Sequence, residues 1–201
     1  QNELFHLKEA SKRLCIRKIR KASLRPEFAS ATNPGGGVTR GSTAQEECLC
    51  RCSTLYPCLD TETMWHQFYQ QHRKTGDPLY NDDLLYTPGV VIFKTDTSVP
   101  ERMEEKDWYQ VDIITCAAPN LRKKPSNAMN PSAGNAPVKI SEKALYELQM
   151  KDWNVFSGGS IEGAEVLILG AFGCGAFCNP PRIVARASRS VQENMHPILK
   201  R

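Results

Sequence analysis

Three segments constrain the fold more than anything else in the chain. They are "LLYTPGVVIFKTD" (84–96), "WYQVDIITCAAPN" (108–120) and "AEVLILGAF" (164–172), each rich in Val and Ile and apolar along its length rather than at alternate positions. A strand that is apolar on both sides is buried on both sides, and a sheet buried in that way needs helices over each face. Helix-forming stretches are available to cover it: "TAQEECLCRCSTLY" after Ser42, a short helix and polar turn within 61–83, "SEKALYELQ" after a Pro-, Asn- and Ser-rich loop at 121–139, and "PRIVARASRSVQENM" behind Pro180 and Pro181. Proline suits such a helix entrance because its missing N–H has no intrahelical partner there. The fold expected is α/β. With 201 residues, no internal repeat and no dividing linker, one domain with one active site is expected.

Two glycine-rich turns interrupt this pattern. In "FASATNPGGGVTRGSTAQEECLC" (28–50), Pro34 and three successive glycines forbid helix, which resumes after Ser42 with Gln45, Glu46 and Glu47 in its first turns. Helix dipole and free amides favour carboxylates at that position, and adjacent side chains on a helix point about 100° apart. The two acids therefore take separate roles rather than share one proton. In "LILGAFGCGAFCNPP", the third strand ends in Gly170, Gly173 and Gly175 before the last helix. Bare amides and a helix entrance at a strand end are where α/β sheets bind phosphate. No Gly-Lys-Ser/Thr follows, and the glycine order is not that of the dinucleotide fingerprint, so both of those loop classes are excluded.

The remaining features narrow the partners. Net charge is +4, but residues 8–25 hold eight Lys or Arg against the single acid Glu9, a run suited to a polyanion or to a solvated face. Residues 1–24 read as a helix around Leu14, Ile16 and Ile19. Cys48, Cys50, Cys52 and Cys58 lack zinc-finger spacing and a nearby histidine pair, so they read as reduced core thiols, with no metal or cofactor expected. His66 and His72 read as surface residues. The longest apolar run is about half the length a membrane helix needs, and no secretory leader pattern opens the sequence. A soluble protein is expected, cytoplasmic, or nuclear in a eukaryotic cell.

Together, "NPGGG", seven residues and then "QEE", with "LYTPGVVIF", "DIITCAAPN" and "LGAFGCGAFCNPP", resemble the ordered blocks of the microbial-type poly(ADP-ribose) glycohydrolases, over residues 28 to about 186. The resemblance implies a macrodomain-like three-layer sandwich, a mixed central sheet between helices. It also implies a boundary between a divergent basic segment at 1–27 and the glycohydrolase-like domain at 28–201. The chain departs from the family at "IRKIRKASLRPEF", where charge and Pro26 replace the expected apolar strand, and at "LQMKDWNVFSGGSIEGAEV" before the third strand. A divergent or incomplete N-terminal strand is the expectation.

The same resemblance assigns roles. Glu47 would be the general acid on the ribose–ribose glycosidic oxygen, Glu46 would bind ribose hydroxyls and Gln45 would orient the site. Asn33, Gly35, Gly36 and Gly37 would lie against the distal ribose, the glycines because a side chain would collide with the sugar. Gly173, Cys174, Gly175 and Ala176 would clamp the diphosphate through their amides, with Phe177 near the distal ribose. The implied activity is cleavage of poly(ADP-ribose) or of ADP-ribosylated macromolecules, with ADP-ribose as product. The alternatives are a macrodomain reader that binds ADP-ribose without turnover, and a hydrolase of mono-ADP-ribose; a reader has no need of the Gln45, Glu46 and Glu47 block.

Overall fold

The computed structural model of the chain describes residues 23–80, 82–128, 130–158, 166–167 and 170–195. The basic run and the expected N-terminal helix lie outside them up to residue 22. Ser23 and Leu24, read as the end of that helix, belong instead to a strand.

That strand, β1 (Ser23–Phe28), is the centre of the molecule. With β2 (Leu84–Ile92), β3 (Tyr109–Cys116) and β4 (Val166–Leu167) it forms a mixed sheet in the order β2-β3-β1-β4. β1 runs parallel to β3, from Leu24 opposite Asp112 to Phe28 opposite Cys116, and parallel to β4 at Ser23 and Leu24. The strand expected to be divergent or incomplete is present over these six residues with charge and Pro26 in it, and the boundary placed at 27/28 falls inside it. Pro26 cannot donate to a ladder; it sits opposite Ile114, beyond the described pairing with β4.

β2 closes one edge antiparallel to β3, with a register shift between Thr87 and Val90. Pro88 has no N–H and Gly89 sits at φ 65°, the ingredients of a bulge. Asp112 holds this irregularity together, accepting the Gly89 N–H at 2.8 Å and the Tyr86 hydroxyl at 2.7 Å.

Ile113 and Ile114 show why the sequence demands two covering layers. Both are 0% exposed, and successive strand residues face opposite ways. Ile113 packs with Leu55, Leu59, Phe68 and Tyr69 from the helices α1 (Gln45–Cys52), α2 (Leu55–Leu59), α3 (Glu62–Met64) and α4 (Gln70–Thr75), with a π turn at Trp65–Tyr69 between the last two. Ile114 packs with Phe172 and with Val184, Ala187 and Val191. Those three residues form the apolar stripe of α6 (Pro181–Met195). α5 (Glu142–Gly158) lies beside α6, and the Tyr146 hydroxyl reaches Ser190 Oγ at 3.1 Å. The result is a three-layer sandwich.

His72 corrects the reading from sequence. It is 3% exposed, because its position four residues after Phe68 turns it inward, where its ring meets Phe68 edge-on at 4.6 Å and Tyr80 at 5.8 Å. Burial lowers its proton affinity, and the Asp83 charge works against that. His66 is exposed as expected. Cys50 and Cys52 are buried, and burial pushes the Cys52 thiol up. Among the described residues no helix is long and apolar enough to cross a membrane, and no group of three metal-ligating side chains occurs.

The chain leaves β1 to build β2 and β3 on one side and crosses to β4 on the other. The parallel strands β3, β1 and β4 therefore end at one edge, with the crossover centred on β1. That is where an open α/β sheet forms its ligand crevice.

Candidate active site

The first glycine loop starts where β1 ends, with the Ala29 N–H still bonded to Cys116 O at 3.0 Å. Asn33 O accepts the Gly36 N–H at 3.1 Å, Gly35 O the Val38 N–H at 3.0 Å and Gly37 O the Ser42 N–H at 3.1 Å. Gly35 and Gly36 hold φ of 62° and 56°, a left-handed pair that residues with a Cβ rarely adopt. Arg73 ties the loop to α4: its Nε donates to Thr32 O at 2.8 Å, its guanidinium donates to Asn33 Oδ1, and it lies over the Trp65 ring.

This winding brings the loop onto the first turn of α1. Glu46 and Glu47 are 3% and 6% exposed. Glu46 Oε2 accepts the Ser30 N–H at 2.6 Å and Glu47 Oε1 accepts the Gly37 N–H at 2.8 Å. Two adjacent acids are thereby fixed by two different parts of one loop. A Cβ on Gly36 would stand 2.5 Å from Glu47 Oε1 and 2.9 Å from Glu46 Oε2. The triple glycine thus makes room for the protein's own carboxylates at Gly36, for the Tyr56 ring at Gly35 and for the Ser42 side chain at Gly37. Contacts within the protein already exclude a side chain there, whether or not a sugar lies against the loop.

The second loop is pinned from behind. Asn179 Nδ2 donates to Pro119 O at 2.6 Å and to Gly173 O at 3.2 Å, while its Oδ1 accepts from Gln149 Nε2 at 3.1 Å. Gly173, at φ 71°, leaves no room for a Cβ against Ala118 and Asn179. The Cys174 N–H is used within the turn, bonding Ala171 O at 3.0 Å, and its side chain packs toward the core.

Between the loops lies a cavity of about 430 Å³. Of the residues expected at the site, Gly36, Gln45, Glu46, Glu47, Gly173, Gly175, Ala176 and Phe177 line it. Asn33, Gly35, Gly37 and Cys174 do not; they shape the two loops from outside the wall.

A third wall was not anticipated from the sequence. It comes from Tyr80 and from Arg122, Asn127 and Asn130 in the loop after β3. That loop is bound to both neighbours, with Asn120 N–H on Pro78 O at 2.7 Å and Leu121 N–H on Phe177 O at 2.9 Å. Phe177 stands between Tyr80, at 6.2 Å between ring centroids, and the Arg122 guanidinium, 5.6 Å from its own ring. Arg122 donates to Asn120 Oδ1 and Pro125 O, both at 3.0 Å and both neutral, so its positive charge is not cancelled by these partners. Burial raises the Tyr80 phenol's pKa, while the Asn120 and Asn130 amides and the Arg122 charge oppose that. The Asn and Pro content of 121–139 was the available signal, since such loops are shaped rather than slack; Tyr80, at φ 60°, carried none.

Comparison with known proteins agrees with this geometry. The family described as "Microbial-type PARG, catalytic domain" matches residues 6–95. The crystal structure of poly(ADP-ribose) glycohydrolase from Thermomonospora curvata bound to the inhibitor ADP-HPD is 32% identical, with a TM-score of 0.68 over 95% of this chain and 63% of that one. A second structure of the Thermomonospora enzyme is 34% identical, with a TM-score of 0.67 over 83% of this chain and 54% of that one. The Deinococcus radiodurans enzyme in complex with ADP-ribose is 34% identical, with a TM-score of 0.63 over 92% and 67%. The chain therefore spans less than two thirds of the length of these Thermomonospora proteins. No curated protein matches it.

Proposed function

The chain belongs to the microbial-type poly(ADP-ribose) glycohydrolase family, and on that premise we propose that it hydrolyses the ribose–ribose bonds of poly(ADP-ribose) and releases ADP-ribose. The observation that carries the reading is the fixing of two buried, adjacent carboxylates by one glycine loop, across a cavity from a second glycine loop and the Arg122 cation.

The chemistry follows from which oxygens are engaged. Glu47 Oε1 accepts an N–H, and a protonated oxygen accepts such a bond poorly, so the proton belongs on Oε2, which is buried without a hydrogen bond among the described residues. From there it passes to the glycosidic oxygen as the bond to the anomeric carbon breaks, leaving an oxocarbenium-like ribose. Water then attacks that carbon and gives its proton to the same carboxylate, restoring the acid. Glu46, held at right distance by Ser30, is placed to take ribose hydroxyls. The amides of Gly173, Gly175 and Ala176, with the Arg122 charge, suit the diphosphate, and Phe177 and Tyr80 shield the cleft from water.

Incubating the protein with labelled poly(ADP-ribose) and resolving the products tests the reading. Free ADP-ribose accumulating with time is expected; intact polymer after prolonged incubation with a folded sample refutes it.

A further inference from the structure

The Asn130 amide is a polar group of the cleft that the reading above leaves unused. Asn130 is 4% exposed and lines the cavity, yet neither its Oδ1 nor its Nδ2 closes a hydrogen bond with a described residue. The amide lies near enough to the Tyr80 phenol to favour its ionised form, but neither of its polar atoms meets hydrogen-bond geometry with a described residue. Leaving a buried amide in this state is costly, and folded proteins rarely do so.

The amide is not there through slackness of the loop. The Asn130 N–H donates to Asn127 O at 3.1 Å and Asn127 Oδ1 at 2.9 Å, and the Asn127 N–H returns to Asn130 O at 3.2 Å. Ser126 N–H closes the turn on Gly134 O at 2.9 Å. The side chain is set before any ligand arrives, which removes part of the ordering cost of binding.

Its chemistry selects among the parts of a nucleoside diphosphate sugar. A carboxamide presents a donor and an acceptor side by side. A diphosphate only accepts and would leave Oδ1 unpaired, whereas a pair of sugar hydroxyls both accepts and donates. The acids that handle sugar, Glu46 and Glu47, face the same cavity. We propose that Asn130 is a ligand-binding residue that takes hydroxyls of the distal ribose, the sugar whose glycosidic bond is cleaved. The proposal rests on the reading of this cleft as an ADP-ribose site.

Calorimetric titration of ADP-ribose into the wild-type chain, Asn130→Ala and Asn130→Leu, with the melting temperature of each recorded, is the test. The wild type should bind, and both variants should lose roughly 10- to 100-fold in affinity. Their ligand-free melting temperatures should match or exceed the wild type's, because an unpartnered buried amide has gone. ADP, which lacks the distal ribose, should bind all three alike. A folded variant that binds ADP-ribose within two-fold of wild type overturns the proposal, as does an equal loss for ADP, which would move the contact to the adenosine half. Failure of both variants to fold also overturns it, since the amide would then serve the ligand-free structure. Absence of ADP-ribose binding by the wild type defeats the reading of the cleft itself, a result distinct from the others.

Discussion

The Gly37 amide donates to Glu47 Oε1 at 2.8 Å, joining residues ten apart through the left-handed turn at Gly35 and Gly36. The bond engages Oε1 and leaves Oε2 as the oxygen that the proposed reaction uses as proton donor. Glu47→Gln keeps the acceptor at Oε1 and replaces the acid at Oε2 with an amide. Turnover of poly(ADP-ribose) should fall about 10²- to 10⁴-fold, the usual yield of general acid catalysis, while ADP-ribose binding persists. Single-turnover kinetics beside calorimetric binding separates the two; near-full hydrolysis by the variant excludes Glu47 as the donor.

Gly36→Ala and Gly175→Ala should part company. At Gly36 the new methyl meets both carboxylates and the backbone stands at φ 56°, a conformation costing about 1–2 kcal/mol for a residue with a Cβ. Thermal unfolding should shift down by roughly 2–8 °C and activity should collapse with the displaced acids. At Gly175 a Cβ meets nothing within 4 Å, so the melting temperature should hold while ligand affinity falls as the cavity narrows. Equal melting temperatures for the two variants would contradict this account of the first loop.

Arg122→Gln tests the cation over Phe177. Loss of one charge-assisted contact to a diphosphate is worth about 1.5–3 kcal/mol, so ADP-ribose affinity should drop at least tenfold, and its dependence on salt should flatten. Titrations at two ionic strengths provide the readout. An unchanged salt dependence would remove Arg122 from the diphosphate site.

Asp152 supplies a pH dependence away from the cleft. Its Oδ2 is buried without a hydrogen bond among the described residues, and burial, with the Asp82 charge adding to it, pushes its carboxyl up from 3.8 to about 8. The folded protein then holds a proton that the unfolded chain releases across that window. Stability is full below about 3.8, declines as pH rises, and the contribution is lost through about pH 8. Asp152→Asn stays neutral throughout, so it should equal the wild type in acid and exceed it above pH 8 by an amount on the order of several kcal/mol. Urea unfolding across this range measures the difference; parallel pH profiles would refute the assignment.

Much of the architecture was legible because β3 is apolar on both faces, and Ile113 and Ile114 do face two separate helical layers. Glu46, Glu47, Gly173 and Phe177 were legible because glycine runs and strand ends leave local marks. β1 was not: its charge and Pro26 hide a strand whose place is set by partners far away in sequence. His72 was misread for a related reason, since besides Phe68 one turn before it the ring that it meets is Tyr80, beyond its own helix. The wall formed by Tyr80, Arg122 and Asn130 depends on how the loop after β3 docks against Pro78 and Phe177, which no local pattern encodes.

The central place of β1 bears on how the molecule comes into being. Its partners lie at residues 112–116 and 166–167, so the ordering of the first glycine loop waits on chain synthesised long after it. Such distant pairings must overcome loop-closure entropy before they return any stability, which makes folding slow. A nascent chain that has emerged only through the two acids has neither neighbour of β1 in hand. Pulse-labelled hydrogen exchange during refolding should find the amides of Ser30 and Gly37 protected together with those of β3, not ahead of them.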